Sequence, residues 1–88
     1  MNEQELIQGL RNGEEAAFKY LVDTCQDRVY NTALGIVHNT EDAEDVAQEV
    51  FIQVFRSISS FKGNSQFSTW LYRITVSKAL DHEKKAKR

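Results

Sequence analysis

From Ala43 to Ile58, apolar residues recur at helical spacing without a gap: Ala43, Val46, Ala47, Val50, Phe51, Val54, Phe55 and Ile58. Steps of three and four residues put all of them on one side of a helix. A stripe this wide has to be covered by other elements, so it fixes the centre of the core. Thr40 stands where an N-cap is needed. Glu41, Asp42, Glu44 and Asp45 then supply the negative charge that the positive end of a helix dipole favours. The chain has 88 residues, no proline and four glycines, so few breakers compete with helix.

The neighbouring segments read the same way. Leu6, Ile7 and Leu10 mark a short helix from Glu3 to Leu10, broken by Asn12-Gly13. Glu14 and Glu15 open a long second helix whose apolar positions are Phe18, Leu21, Val22, Cys25, Val29, Ala33, Ile36 and Val37. It is expected to end near His38-Asn39. Ser68 is the expected cap of a last helix from Thr69 to about Lys84. In that helix Val76, Ala79 and Leu80 spread around the wheel, so the pattern does not say which side meets the core. No strand pattern competes. The predicted fold is all-α: a four-helix bundle of one short N-terminal helix and three longer ones, with an ordered loop between the last two.

Composition narrows the function. No apolar run approaches the roughly 20 residues of a membrane span. The opening MNEQELIQGL lacks the basic start and apolar core of a signal peptide. Cys25 is the single cysteine, which suits a reduced, cytoplasmic setting and reads as a buried structural thiol. No His/Cys set has metal-ligand spacing and no glycine-rich phosphate loop is present, so no cofactor and no catalysis are expected. His38 and His82 read as solvated. The net charge of −2 is split unevenly: residues 1–45 carry a net −7 and residues 46–88 a net +5. Two partners of opposite charge, one of them polyanionic, would account for such a split, as would a solvated acidic half beside a basic tail.

Two surfaces are candidates for binding. Asp42, Asp45, Gln48, Glu49, Gln53 and Arg56 cluster on the polar side of the third helix, and Ile52 falls among them. An isolated exposed apolar residue is commonplace, but one ringed by carboxylates and amides also suits a docking anchor. The second surface is FKGNSQFSTWLYRI, Phe61 to Ile74. Two Phe, a Trp and a Tyr crowd this connector, interleaved with Lys62, Arg73 and, just beyond, Lys78. Capping the bundle is the plain explanation. Stacking on unpaired bases, with cations following the phosphates, is the alternative. Burial of Phe61, Phe67 and Trp70 with no pocket between them would favour the plain one. Arg73, Ser77 and Lys84 add a face of the last helix spaced for contact along a strand.

The run DAEDVAQEVFIQVFRSISSFKGNSQFSTWLYRITVSKALDHEKKAKR resembles region 2 of bacterial sigma factors of the extracytoplasmic-function type, and LIQGLRNGEEAAFKYLVDTCQDRVYNTALGIV is similar to that family's first two helices. The resemblance implies a domain over residues 1–84, with residues 85–88 beginning a linker to a second helical domain that reads the promoter −35 element. It implies docking on the β′ subunit of RNA polymerase through Asp45, Gln48, Glu49, Ile52 and Arg56. It also implies recognition and melting of the promoter −10 element. A flipped non-template base would enter a loop of Phe61, Lys62, Gly63, Asn64, Ser65, Phe67 and Ser68, and Thr69, Trp70, Arg73 and Ser77 would support its neighbours. An anti-sigma factor is a further implied partner, and a monomer is expected. Ser77 stands where many relatives carry Asn, and a hydroxyl cannot make the two-point contact to adenine that an amide makes. A regulatory protein-binding module without DNA readout is the competing reading.

Overall fold

Local signals start and stop the helices. In the computed structural model, which describes residues 1–86 and side chains through Lys85, four α-helices follow in order: α1 (Glu3–Arg11), α2 (Glu15–Val37), α3 (Thr40–Ser57) and α4 (Phe67–Ala86), with a 3₁₀ turn at Ile58–Ser60. Asn2 caps α1 by accepting the Glu5 N–H at 2.8 Å. Asn39 caps α3 by accepting the Asp42 N–H at 2.9 Å. The expected cap, Thr40, is therefore the first residue inside α3. The Asn39 side chain, one atom longer than that of Thr, reaches the orphan Asp42 N–H from one residue earlier. The end of α2 fell where expected, with His38 in the left-handed conformation at φ 57°.

The core answers the α3 stripe. Ala43, Val46, Val50 and Val54 are fully enclosed, joined by Leu21, Val29 and Ala33 of α2 and Leu71 and Ala79 of α4. Phe55 departs from expectation: it is 48% exposed. Its position lies to one side of the valine stripe, so its ring meets α2 at the rim, edge-on to Phe18 at 5.7 Å. Ala47 and Cys25 are likewise only half-buried. The contacts fix the helix directions. Phe18 opposite Phe55 makes α2 and α3 antiparallel, and Asp42 opposite His82, at 3.2 Å, does the same for α3 and α4. His82 is thus half-buried against a carboxylate instead of solvated.

The side of α4 that the sequence left open is now defined. Phe67, Leu71, Thr75 and Ala79 face inward. Thr75 is buried and donates its hydroxyl to the Leu71 carbonyl at 2.8 Å, so its polar atom has a partner without leaving the helix. The helix begins at Phe67, which puts Ser68 in the first turn and not at the cap. It runs through Ala86, past the expected Lys84, and the rest of the expected linker lies outside the described residues.

The short α1 crosses the end of the bundle beside the 3₁₀ turn. Leu6 and Leu10 anchor it, and Gly9 permits the approach: a Cβ there would fall 2.7 Å from the Ala17 Cβ. Real carbons do not tolerate that separation. Gly9→Ala should therefore lift α1 off α2 and lower stability by about 1–3 kcal/mol, read as a lower urea midpoint. Gly35→Ala, with open space around the new methyl, should be neutral or slightly stabilising by about 0.5–1 kcal/mol.

Candidate nucleic-acid interface

The α3–α4 connector is built around three rings. Phe61 and Phe67 meet edge-to-face at 5.8 Å, and Trp70 lies tilted 5.0 Å from Phe61 and 5.7 Å from Phe67. Phe61 and Phe67 are 6% and 5% exposed. Their faces are spent on each other and on the core, so neither offers a surface for a base to stack on. For these two rings the plain explanation, capping the bundle, holds and the stacking alternative does not. Trp70 is half-buried and keeps part of its indole at the surface.

The segment between the two Phe residues stays outside. Lys62, Gly63, Asn64 and Gln66 are exposed and Ser65 is half-buried. Gly63 takes φ +76°, which turns the chain back over the rings at no Cβ cost. Among the described residues, the Asn64 and Ser65 side chains have no intramolecular hydrogen-bond partner. An amide and a hydroxyl on a chain pinned at both ends by buried rings form a ready donor and acceptor edge. The start of α4 continues this surface. Ser68 is exposed and Thr69 half-buried, while Arg73 and Ser77 stand exposed on the side of α4 opposite Leu71 and Thr75.

The fold brings two basic side chains to this region that the sequence reading did not connect with it. Arg11, at the end of α1, donates to the Phe61 carbonyl across 50 residues of sequence. Arg28 lines the cleft where α2 meets Ser68, Leu71 and Tyr72. Both belong to the acidic half, which has only three bases, and that scarcity was the available signal. An open groove of about 400 Å³ separates the loop from α1.

A second surface lies on α3. Asp45, Gln48, Glu49, Ile52 and Arg56 are all exposed along its outward side, with Ile52 49% exposed. Ile52 also borders an apolar hollow of about 380 Å³ with Phe18, Phe55, Gly13, Glu15 and Arg56. Phe55 was expected in the core; it widens the apolar centre of this surface instead. Among the described residues no group of three or more His, Cys, Asp or Glu could hold a metal ion. Among the described residues no helix is long and apolar enough to cross a membrane.

The model of sigma-70 region 2 matches residues 21–88. The chain belongs to the sigma-70 region 2 family. Its relatives include the extracytoplasmic-function RNA polymerase sigma factor SigW of Bacillus subtilis, 40% identical over 92% of this chain and 43% of the relative. The sigma-E factor of Escherichia coli is 38% identical over 93% of this chain and 42% of its own length. The RNA polymerase sigma-H factor of Pseudomonas aeruginosa is 39% identical over 91% and 42%. The chain thus spans less than half the length of these relatives. Among solved structures, an engineered region 2 of sigmaE in complex with GTAAAA superposes with a TM-score of 0.87 at 37% identity, covering 100% of this chain and 96% of that one.

The division of labour within the region 2 loop is testable by stability. Phe61→Ala should cost about 3–5 kcal/mol, because it empties a ring-sized space in the core. Lys62→Ala and Asn64→Ala should stay within about 0.5 kcal/mol of wild type. Chemical denaturation of the three variants separates the ring that holds the loop from the edge it presents.

Proposed function

We propose that this domain docks on RNA polymerase through the outward face of α3 and captures unpaired −10 promoter DNA with the α3–α4 loop and the exposed side of α4. The observation that carries the DNA reading is the loop itself: Asn64 and Ser65 present an unsatisfied polar edge, held over a buried cluster of Phe61, Phe67 and Trp70. Hydrogen bonds from that edge would read one flipped base. The exposed part of Trp70 would stack on a neighbour, and Arg73 and Lys62 would follow the phosphates. Support also comes from the sigmaE region 2 neighbour, whose partner is the oligonucleotide GTAAAA.

Melting in this reading needs no nucleotide hydrolysis. A base held in the loop cannot re-pair, so binding energy for the open strand shifts the duplex equilibrium. The domain acts as a binding module, in the cytoplasm, as a monomer, with polymerase supplying the catalysis and an anti-sigma factor able to mask the same faces. On α3, Ile52 packs at the centre of the β′ contact while Asp45 and Glu49 meet basic side chains around it. The exposed Ile52–Phe55 surface by itself also suits a protein-binding module without DNA readout.

Fluorescence anisotropy with GTAAAA and single-base variants, at two salt concentrations, separates these readings. Base-dependent binding that weakens with salt, and drops about tenfold in Asn64→Ala and Trp70→Ala, is the expected result. Feeble binding to every oligonucleotide, unchanged in both variants, leaves only the protein-binding module. Ser77→Asn should raise the preference for adenine at one position by about 1–3 kcal/mol, since an amide makes two contacts where the hydroxyl makes one. Ile52→Asp should abolish capture of a β′ clamp fragment while leaving oligonucleotide binding intact.

A further inference from the structure

The α1 wall of the groove beside the loop has no part in the reading above. Gln4, Ile7, Gln8 and Arg11 line one side of it, and Phe61, Lys62 and Gly63 line the other. At about 400 Å³ it falls within the size range of small-molecule clefts, which starts at roughly 300 Å³. Gln4 and Gln8 are one helical turn apart and both exposed, so their amides stack along one face of α1. Glu3 and Glu5, the acids of this turn, project to either side of that face. Gln8 gives one N–H to the Asn12 side chain at 3.4 Å and keeps its carbonyl oxygen and second N–H. Arg11 spends one of its five N–H groups on the Phe61 carbonyl, which leaves others facing outward. Lys62 puts a second cation across the gap.

Amides on one wall and a cation on each suit a nucleotide: base edges want paired donors and acceptors, and phosphates want arginine and lysine. We propose that this groove is a second nucleotide subsite. It takes the nucleotide adjacent to the one read by Asn64 and Ser65, with its base edge on Gln4 and Gln8 and its phosphate on Arg11 and Lys62. The inference rests on the DNA reading of the loop, because the two sites share the chain from Phe61 to Gly63. Arg11 then has two tasks. It fixes the backbone where the loop leaves the core, and it meets the strand that the loop captures.

The test uses GTAAAA and a set of its versions, each with one abasic position. Wild type, Gln8→Ala, Arg11→Ala and Asn64→Ala are titrated against the set. The hydrogen bond that the Gln8 side chain makes goes to Asn12 and not to the loop, so Gln8→Ala should leave the loop site intact. It should weaken binding about 2- to 10-fold, as expected for a lost hydrogen bond, and become insensitive to one abasic position. That position should adjoin the one to which Asn64→Ala is insensitive. Arg11→Ala should also flatten the slope of log affinity against log salt by about 0.7, which loosening the loop alone would not do. If Gln8→Ala matches wild type on every oligonucleotide, or shares its insensitive position with Asn64→Ala, the second subsite is wrong and the loop reading survives. If wild type binds none of the set, both fall together.

Discussion

Everything distinctive about this domain depends on how Phe61 is held. Its ring is buried between Phe67 and Trp70, and its carbonyl accepts from Arg11. One residue thereby links α1, the 3₁₀ turn, the loop and the start of α4. Without it the connector would be five residues of polar chain, Lys62 to Gln66, with little to restrain it. With it, Gly63 to Ser65 become a short arch fixed at both ends. Fixing the arch before a ligand arrives lowers the entropy that binding must otherwise spend on ordering it.

The same logic explains why aromatic residues fill a connector that is exposed in the middle. An 88-residue chain buries a modest core. Ring pairs add packing where the bundle narrows, at the end that α1 must also close. The edge-to-face Phe61–Phe67 pair adds about 0.5–1.5 kcal/mol beyond area burial. The aromatic density that suggested base stacking in the sequence is therefore mostly architectural. In the proposed function, the chemistry of recognition falls to the small polar residues between the rings.

Much of this was legible in advance. The α3 stripe gave the core, because period and burial coincide at Val46, Val50 and Val54. Ile52 stood out correctly as an exposed apolar residue. Phe55 did not, because a wheel has no information about which neighbour lies beside a stripe, and α2 left it at the rim. Thr40 and Ser68 look like caps, but Asn39 and the earlier start of α4 at Phe67 displaced them. These are shifts of one and two residues, which short polar side chains leave undecided. The largest omission, Arg11, is a contact over 50 residues, and periodicity carries no signal for such pairings. The charge split did carry one: a lone base in an acidic segment invites the question of what it faces.

That split also gives the molecule its orientation. The acids of α3, Asp45 and Glu49 among them, face outward from the shared core, and the bases Arg73 and Lys84 face outward on α4. The two helices pack against each other through their inner sides, so these faces point apart. The shortest dimensions of the domain are 23 and 18 Å, whereas charges in solution are screened over about 8 Å at physiological salt. Each face therefore acts on its own partner with little interference through solvent. A phosphate strand that strays toward α3 meets carboxylates and is repelled; one that meets the loop and α4 finds cations. In the proposed function, the acidic face would thus aid DNA recognition by exclusion as well as by docking.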